Sequence, residues 1–472
     1  MAGVEIDLLA IPRGLVIAPA GCGKTQLIAD ALGRHSGDKP ILVLTHTNAG
    51  VAALRGRLDR AGVRPNSYRL ATIDGWAIRL ISTFPERAAH NPSIITRARP
   101  SYPAIREAAF GLIKAGHIND ILAASYDRLF VDEYQDCSIR QHYVVGWAAK
   151  TLPTVVLGDN LQSIFGFGDD RLALWQDEVL KFFPVVGELS TPWRWINAGS
   201  EALGEWLLAQ RAELVAGRSI DLMTAPAGVE WVPLDGIHDD AIRLQAGAVD
   251  APGDTKVLII GDSTDPRGQR RFASQIPGAV TVEAVNLQDL TDFGSNLDLN
   301  AANALKTVAK FAESLMSAFS ADELVDNIRG MRDGAIGREP TDIETHAMLF
   351  ETERSCERAG ELLAAINRAG GVRCYRPNVL YAAQRALQLC ASTGGPSFSE
   401  ATITIREQTR LIGRPLAKRS VGSTLLLKGL EAEISVILNA DGLDAKNLYV
   451  AMTRGSKRLL VCSRSPILNP GA

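Results

Sequence analysis

Three short segments carry residues whose types and spacing could do phosphate chemistry. The first is Leu15-Val16-Ile17-Ala18-Pro19-Ala20-Gly21-Cys22-Gly23-Lys24-Thr25, an apolar run, a small-residue loop and the start of a helical pattern. Backbone N–H groups of such a loop, together with the following helix N-terminus, cradle the β- and γ-phosphates of a nucleotide. In that plan Ala20, Gly21, Cys22 and Gly23 supply backbone, and Lys24 brings a positive charge to the transferred phosphoryl group. Thr25 offers its hydroxyl to Mg²⁺. Ala18 stands at the first loop position, where glycine is commoner. The bland alternative is a tight turn that merely needs glycine, and the strand before and helix after it weigh against that.

The second segment, Leu129-Phe130-Val131-Asp132-Glu133-Tyr134-Gln135-Asp136, ends an apolar run on two adjacent carboxylates. Asp132 is placed to bind the Mg²⁺ shell, and Glu133 to polarise an attacking water. Acids at a strand end are often only solvated loop residues, so their weight comes from the phosphate loop upstream. The third segment is Leu157-Gly158-Asp159-Asn160-Leu161-Gln162-Ser163-Ile164-Phe165. Gln162 is a candidate γ-phosphate or water-orienting sensor. Phe165 and Phe167 flank a glycine and could hold bases by stacking, or could equally be two core phenylalanines.

These side chains need a scaffold that brings three loops together, and the alternation of apolar runs with helical patterns supplies one. Strands are expected at Gly14–Ile17, Ile41–Leu44, Arg128–Val131 and Thr154–Leu157, all continuous runs of the kind buried on both faces of a parallel sheet. Helices are expected at about Lys24–Leu32, Ala49–Ala61, Ile139–Lys150 and Arg171–Phe182. The segment from Phe84 to Pro103, rich in proline and arginine, reads as a loop leading into a small helical insertion, Ala104 to Ser125. A second α/β pattern starts near Lys256 and resumes at Ile434 and Arg458, interrupted by a mostly helical stretch from about Leu287 to Ala401. The expected architecture is α/β: two RecA-like domains with parallel sheets, each carrying a mostly helical insertion. Its boundaries are 1–84 with 126–195, insertion 85–125, then 196–286 with 402–472, insertion 287–401.

Composition excludes several classes. The 472 residues are 46% hydrophobic and 22% charged with a net charge of −3, ordinary for a folded chain. Any nucleic-acid contact must come from a local groove and not from bulk charge. The six cysteines are scattered singly, without a CxxC pair, which argues against a zinc ribbon or an iron–sulfur cluster and favours a reducing, cytoplasmic setting. Nothing reads as a signal peptide or a membrane span.

In chain order, APAGCGKT, THTNAGV, TIDGWAIRLI, VDEYQD, LGDNLQSIF, STPWRW, TLLLKGLEAE and LYVAMTR resemble the motif series of the UvrD, PcrA and Rep helicases, over about residues 14 to 463. That resemblance implies an ATP- and Mg²⁺-dependent motor that moves 3′ to 5′ on single-stranded DNA. Lys24, Thr25, Asp132 and Glu133 would do the ATP chemistry, and Gln162 would couple nucleotide state to DNA grip. Arg194 and Arg454 would reach the γ-phosphate across a domain cleft, and Glu431 would contact the ribose. On the DNA side it implies Thr45, Thr47 and Asn48 at one strand end, Thr72 and Trp76 (with Asp74 in place of the family histidine) at a second, and Phe165 with Phe167 in place of the usual tyrosine and tryptophan. The basic run Arg406, Arg410, Arg414, Lys418 and Arg419 either extends the DNA track or is a solvated face.

The chain departs from the family in places. No glutamine precedes the phosphate loop, so the residue that reads adenine is missing. Trp193 and Trp195 flank Arg194 where a tyrosine and a small residue are usual, and both insertions are short. A narrower resemblance, to the short UvrD-like subunits of Gabija-type anti-phage systems, implies an OLD-family nuclease as partner. A competing expectation is a regulatory subunit that senses DNA ends and licenses a nuclease without appreciable unwinding.

Overall fold

Runs of valine, isoleucine and leucine form the first sheet because both of its faces are covered by helices. In this computed structural model, which describes residues 6–96, 100–166, 170–409 and 416–471, the strands are β1 Arg13–Ile17, β2 Ile41–Thr45, β3 Tyr68–Thr72, β4 Leu129–Val131, β5 Thr154–Gly158 and β6 Val185–Glu188. Their order is β3-β2-β4-β5-β1-β6. Every pairing among them is parallel, with Thr45 opposite Thr72, Leu44 opposite Val131, Val131 opposite Val156 and Ile17 opposite Gly158. Parallel pairing aligns all C-terminal strand ends on one edge, where ligands of open α/β sheets bind.

Three helices begin directly from that edge: α1 Lys24–Arg34, α2 Asn48–Arg60 and α3 Ile73–Thr83. Thr47 caps α2 by accepting from Gly50 N at 3.0 Å, and Thr72 caps α3 by accepting from Gly75 N at 2.9 Å. Each cap satisfies one of the unpaired first-turn N–H groups and fixes where the chain leaves its strand. The expected helical insertion is present as Tyr102–Lys114 and Asn119–Ser125, and the stretch before it holds the short helices Pro85–Ala88 and Ser93–Thr96.

The expected helix Arg171–Phe182 is shorter, a single π-turn at Trp175–Val179 followed by Leu180–Phe182. Backbone pairing has claimed the first residues instead. Ile139 N donates to Arg171 O at 2.8 Å, Ala173 N donates to Cys137 O at 3.0 Å, and Leu172 bridges Ser138.

A second six-stranded sheet runs in the order Ala279–Thr281, Arg419–Ser423, Val257–Gly261, Ala432–Ile437, Gly455–Ser463 and Val229–Pro233. The expected α/β class with two RecA-like sheets is what the strand orders give. The chain forms two compact units: 1–231 with 440–459 and 465–472, and 232–439 with 460–464. The second unit carries the long helical insertion, Gln288–Asn296 through Phe398–Thr409. It packs as one core in which Phe293 stacks on Phe311 at 3.9 Å.

Helix packing also joins Cys356 to Cys390 as a disulfide, their Cα atoms 6.3 Å apart, at the start of Cys356–Arg368 and near the end of Pro377–Ala391. Sequence spacing gave no sign of that pair. Among the described residues no helix is long and apolar enough to cross a membrane.

One buried ion cluster ties the insertion to the second sheet. Arg376, 1% exposed, meets Glu283 through Nε at 2.7 Å and through Nη2 at 2.8 Å, and also meets Asp289. Burial would raise the Glu283 carboxyl, but the Arg376 guanidinium outweighs it and holds the group below its ordinary range. Arg376→Ala takes the guanidinium away from that buried carboxylate, which keeps the Thr281 hydroxyl as a donor, and should cost about 3–5 kcal/mol in urea unfolding at pH 7. A depressed folded-state pKa gives stability that is present above about pH 4.3 and lost as pH falls. The gap between wild type and variant should therefore narrow in acid.

Candidate functional site

The phosphate loop turns where only glycine is comfortable. Gly21 and Gly23 lie in the left-handed region at φ 73° and 87°. A Cβ on Gly21 would stand 2.5 Å from Cζ3 of Trp195, and one on Gly23 would stand 3.0 Å from Cδ1 of Trp193. The Trp-Arg-Trp element thus lines the loop. Arg194 N donates to Gly21 O at 3.0 Å, and Ala20 N donates to the Tyr449 hydroxyl at 3.1 Å. Cys22 is buried inside the loop, and that burial pushes its thiol up to about 12.

Lys24 opens α1 and points at the end of β4. Its Nζ is 3.0 Å from Asp132 Oδ1 and also contacts Glu133 Oε1. Burial alone would lower the lysine, but the two carboxylates outweigh it and raise it above its ordinary value. Asp132 is pushed up, by burial first and by Glu133 next, with Lys24 opposing. Glu133 sits at φ 54°, a conformation that costs a non-glycine residue of order 1 kcal/mol or more. It is held there by its side-chain partners, Lys24 and the Gln135 amide.

The loop after β5 completes this group. Gln135 Oε1 accepts from Asp159 N at 3.2 Å, and a Cβ on Gly158 would meet that oxygen at 2.6 Å, so the strand must end in glycine. Gln162 Nε2 reaches Ala18 O at 3.4 Å and Asp159 Oδ2 at 3.3 Å, which ties the sensor candidate to the phosphate loop. Asp159 is fully buried and forked by Arg211, with Nη2 at 2.9 Å from Oδ1. Thr25 lies beside Lys24 and is half-buried.

Both candidate arginines belong to the same compact unit as the phosphate loop. Arg194 Nη1 donates to Thr453 O at 2.6 Å. Arg454, 3% exposed, donates from Nε to Val450 O at 2.8 Å and from Nη2 to the Thr453 hydroxyl at 3.1 Å. Glu431 lies in the second unit, exposed just ahead of the strand Ala432–Ile437.

The DNA-side residues gather at the other end of the same sheet edge, with differences. Thr45 is 1% exposed and its hydroxyl has no hydrogen-bond partner, while Thr47 and Asn48 are exposed at the start of α2. Thr72 stands opposite Thr45 in register. Phe165 is half-buried, its ring 5.5 Å from that of His46. Trp76 lies inside the core, 2% exposed among Ile73, Ala77 and Leu80, because its position in α3 faces the sheet. Phe167, Arg410 and Arg414 lie outside the described residues. The rest of the basic run is divided: Arg406 pairs with Glu407, and Arg419 donates to Val249 O.

Sequence reasoning passed over several members of this site. Tyr449 and Thr453 lay inside a motif already singled out, whereas Arg211 had no local signal. Asp74, expected on the DNA side with Thr72 and Trp76 in place of the family histidine, is forked by Arg106 of the insertion at 2.7 Å through both Nε and Nη2, and Arg106 also meets Asp170 at 2.8 Å.

No protein-family model and no curated protein matches the chain. Among solved structures, the Pif1 helicase from Candida albicans is similar at 12% identity and a TM-score of 0.39, over 95% of this chain and 90% of that one. So distant a likeness carries no weight for the site.

The packing around the loop has a direct consequence. Gly21→Ala forces a side chain against Trp195 in a left-handed backbone, and should weaken Mg²⁺–ATP binding by about tenfold or more in calorimetric titration. Gly33→Ala, in open space on the exposed face of α1, should leave that binding unchanged.

Proposed function

We propose that the chain is an ATP hydrolase whose turnover is coupled to single-stranded DNA, a translocase or helicase of the UvrD type. The observation that carries this reading is the shared strand edge. Lys24, Asp132 and Glu133 occupy one part of it, Thr45, Thr72 and Phe165 another, and Gln162 bonds to the phosphate loop three residues before Phe165.

The residues present suit MgATP. Gly21 and Gly23 give the loop the left-handed turns that glycine takes freely, Lys24 is held charged, and Thr25 with Asp132 offers hard oxygen ligands for Mg²⁺. When bound, the ion would neutralise charge on the β- and γ-phosphates. Glu133 is the base or water-orienting group, held at a left-handed backbone beside Lys24 and Gln135. Arg194 and Arg454 are the cations for charge that develops in the transition state. On the DNA side, Thr47 and Asn48 are exposed donors for backbone phosphates, and Phe165 with Phe167 is the stacking pair. Trp76 supports that edge from beneath. Movement from 3′ to 5′ and an OLD-family nuclease partner in anti-phage defence belong to the same proposal. They rest on the sequence resemblance alone.

The test is phosphate release with ATP and Mg²⁺, with and without single-stranded DNA, beside a fork-unwinding assay. Stimulation by DNA is expected, and Lys24→Ala should abolish hydrolysis while the melting curve stays cooperative. Turnover that survives Lys24→Ala would overturn the site assignment. Stimulated hydrolysis without unwinding would favour a subunit that needs its nuclease partner.

Base selectivity follows from the same geometry. The exposed ring of Trp193 lies beside Gly23 and offers a stacking face, which every base can use. With stacking as the contact to the base, GTP and CTP should be hydrolysed within about tenfold of ATP in competition assays. A preference for ATP above about a hundredfold would mean that another group reads the base edge.

A further inference from the structure

Tyr449, in the helix Ala445–Met452, is 1% exposed and comes from the far end of the chain to bond the phosphate loop. Its hydroxyl accepts from Ala20 N at 3.1 Å. Its own carbonyl accepts from the Thr453 hydroxyl at 2.9 Å, and that hydroxyl accepts in turn from Arg454 Nη2 at 3.1 Å. The Thr453 carbonyl accepts from Arg194 Nη1 at 2.6 Å. Hydrogen bonds linked through the covalent frames of Tyr449 and Thr453 therefore run from a loop amide to both arginines, with Thr453 as the node. Two further contacts hold the turn that follows: Trp195 Nε1 donates to Gly455 O at 3.0 Å, and the Ser200 hydroxyl donates to Ser456 O.

We infer that Tyr449 and Thr453 are positioning residues for hydrolysis: a tether that sets both arginines at a fixed offset from the phosphate loop. The inference rests on the proposed ATPase reading. A guanidinium stabilises a transition state only where its donors already stand, since reorientation during the reaction costs rate. Arg194 and Arg454 sit on different elements, and Thr453 is the group both touch. Burial raises the Tyr449 phenol well above its ordinary range, so the hydroxyl stays neutral and can accept from the loop amide at any working pH. The distinction from simple core packing is specific. Packing would be kept by phenylalanine or valine, and the tether would not.

The experiment uses full-length wild type, Tyr449→Phe, Thr453→Val and Arg454→Ala, with steady-state and single-turnover phosphate release, and hydrogen exchange of the loop amides in the absence of nucleotide. Expected are a kcat about tenfold lower in Tyr449→Phe and Thr453→Val with KM for MgATP within about threefold, and faster exchange at Ala20 in Tyr449→Phe. Added to Arg454→Ala, Thr453→Val should not lower the single-turnover rate more than about twofold further, because the hydroxyl it removes bonds Arg454 while the Thr453 carbonyl that holds Arg194 is kept. Unchanged kcat in both variants, a rise in KM alone, or a Thr453→Val loss that multiplies fully with Arg454→Ala would overturn the tether while leaving the ATPase reading intact. Should Tyr449→Phe fail to fold, Thr453→Val decides by the same criteria. Absence of hydrolysis in the wild type would remove the ATPase reading, and the tether with it.

Discussion

The ammonium of Lys24, held between Asp132 and Glu133 at the end of a buried strand, sets conditions that the rest of the first unit must meet. A lysine taken out of water at this depth keeps its charge only if carboxylates face it. That requires β1 and β4, which deliver the two sides of the pair, to stand one strand apart, and β5 fills the space between them. It also requires β5 to end in a residue without a side chain, because Gln135, which supports Glu133, occupies that space. Asp159 next to it would be a further buried negative charge, and Arg211 answers it in a two-pronged pair.

Parallel register extends the constraint along the sheet. With Thr45 level with Thr72 and Leu44 level with Val131, every loop that carries a candidate side chain leaves from the same edge. Across six strands spaced about 4.8 Å apart, a change at one loop reaches the next through short contacts and not through the sheet. Gln162 and Phe165 provide such contacts toward β1 and toward the segment after β2. The small insertion is fastened to the same edge by Arg106, which lies between Asp74 and Asp170. Burial opposes the charge on that guanidinium, and the two carboxylates offset the cost.

What was legible in the sequence was local. The strand–glycine–helix turn and the strand-end acids declare themselves within a few residues, and the four strands named from sequence stand within a residue or so of their places. The rest depended on packing. The resemblance puts Trp76 on the DNA side of a strand end, yet the start of α3 turns it into the core. The helix expected from Arg171 loses its first turn to pairing with Cys137 and Ile139, a contact no helical periodicity can reveal. Cys356 meets Cys390 across two helices, and Arg211 meets Asp159 across 52 positions. Neither partner carries a mark of the other in its own neighbourhood.

The longest of these dependencies links Ala20 to Tyr449, 429 positions apart. The first unit is discontinuous: residues 440–459 and 465–472 join it only after residues 232–439 of the second unit have been spanned. Closure entropy rises slowly with loop length, so this arrangement costs little in equilibrium stability. Its effect is on order, since contacts of such high sequence separation form late. The strands β1 to β6, α1 and the Lys24–Asp132 pair all lie within the first 200 residues or so and can assemble from contacts among themselves. Tyr449, Thr453 and Arg454 arrive with the last part of the chain. The loop proposed to hold a phosphate and the segment proposed to place the arginines are thus separate in folding and joined by a few hydrogen bonds. On the proposed ATPase reading, that is a physical reason for nucleotide binding to tolerate changes near the C-terminus better than hydrolysis does.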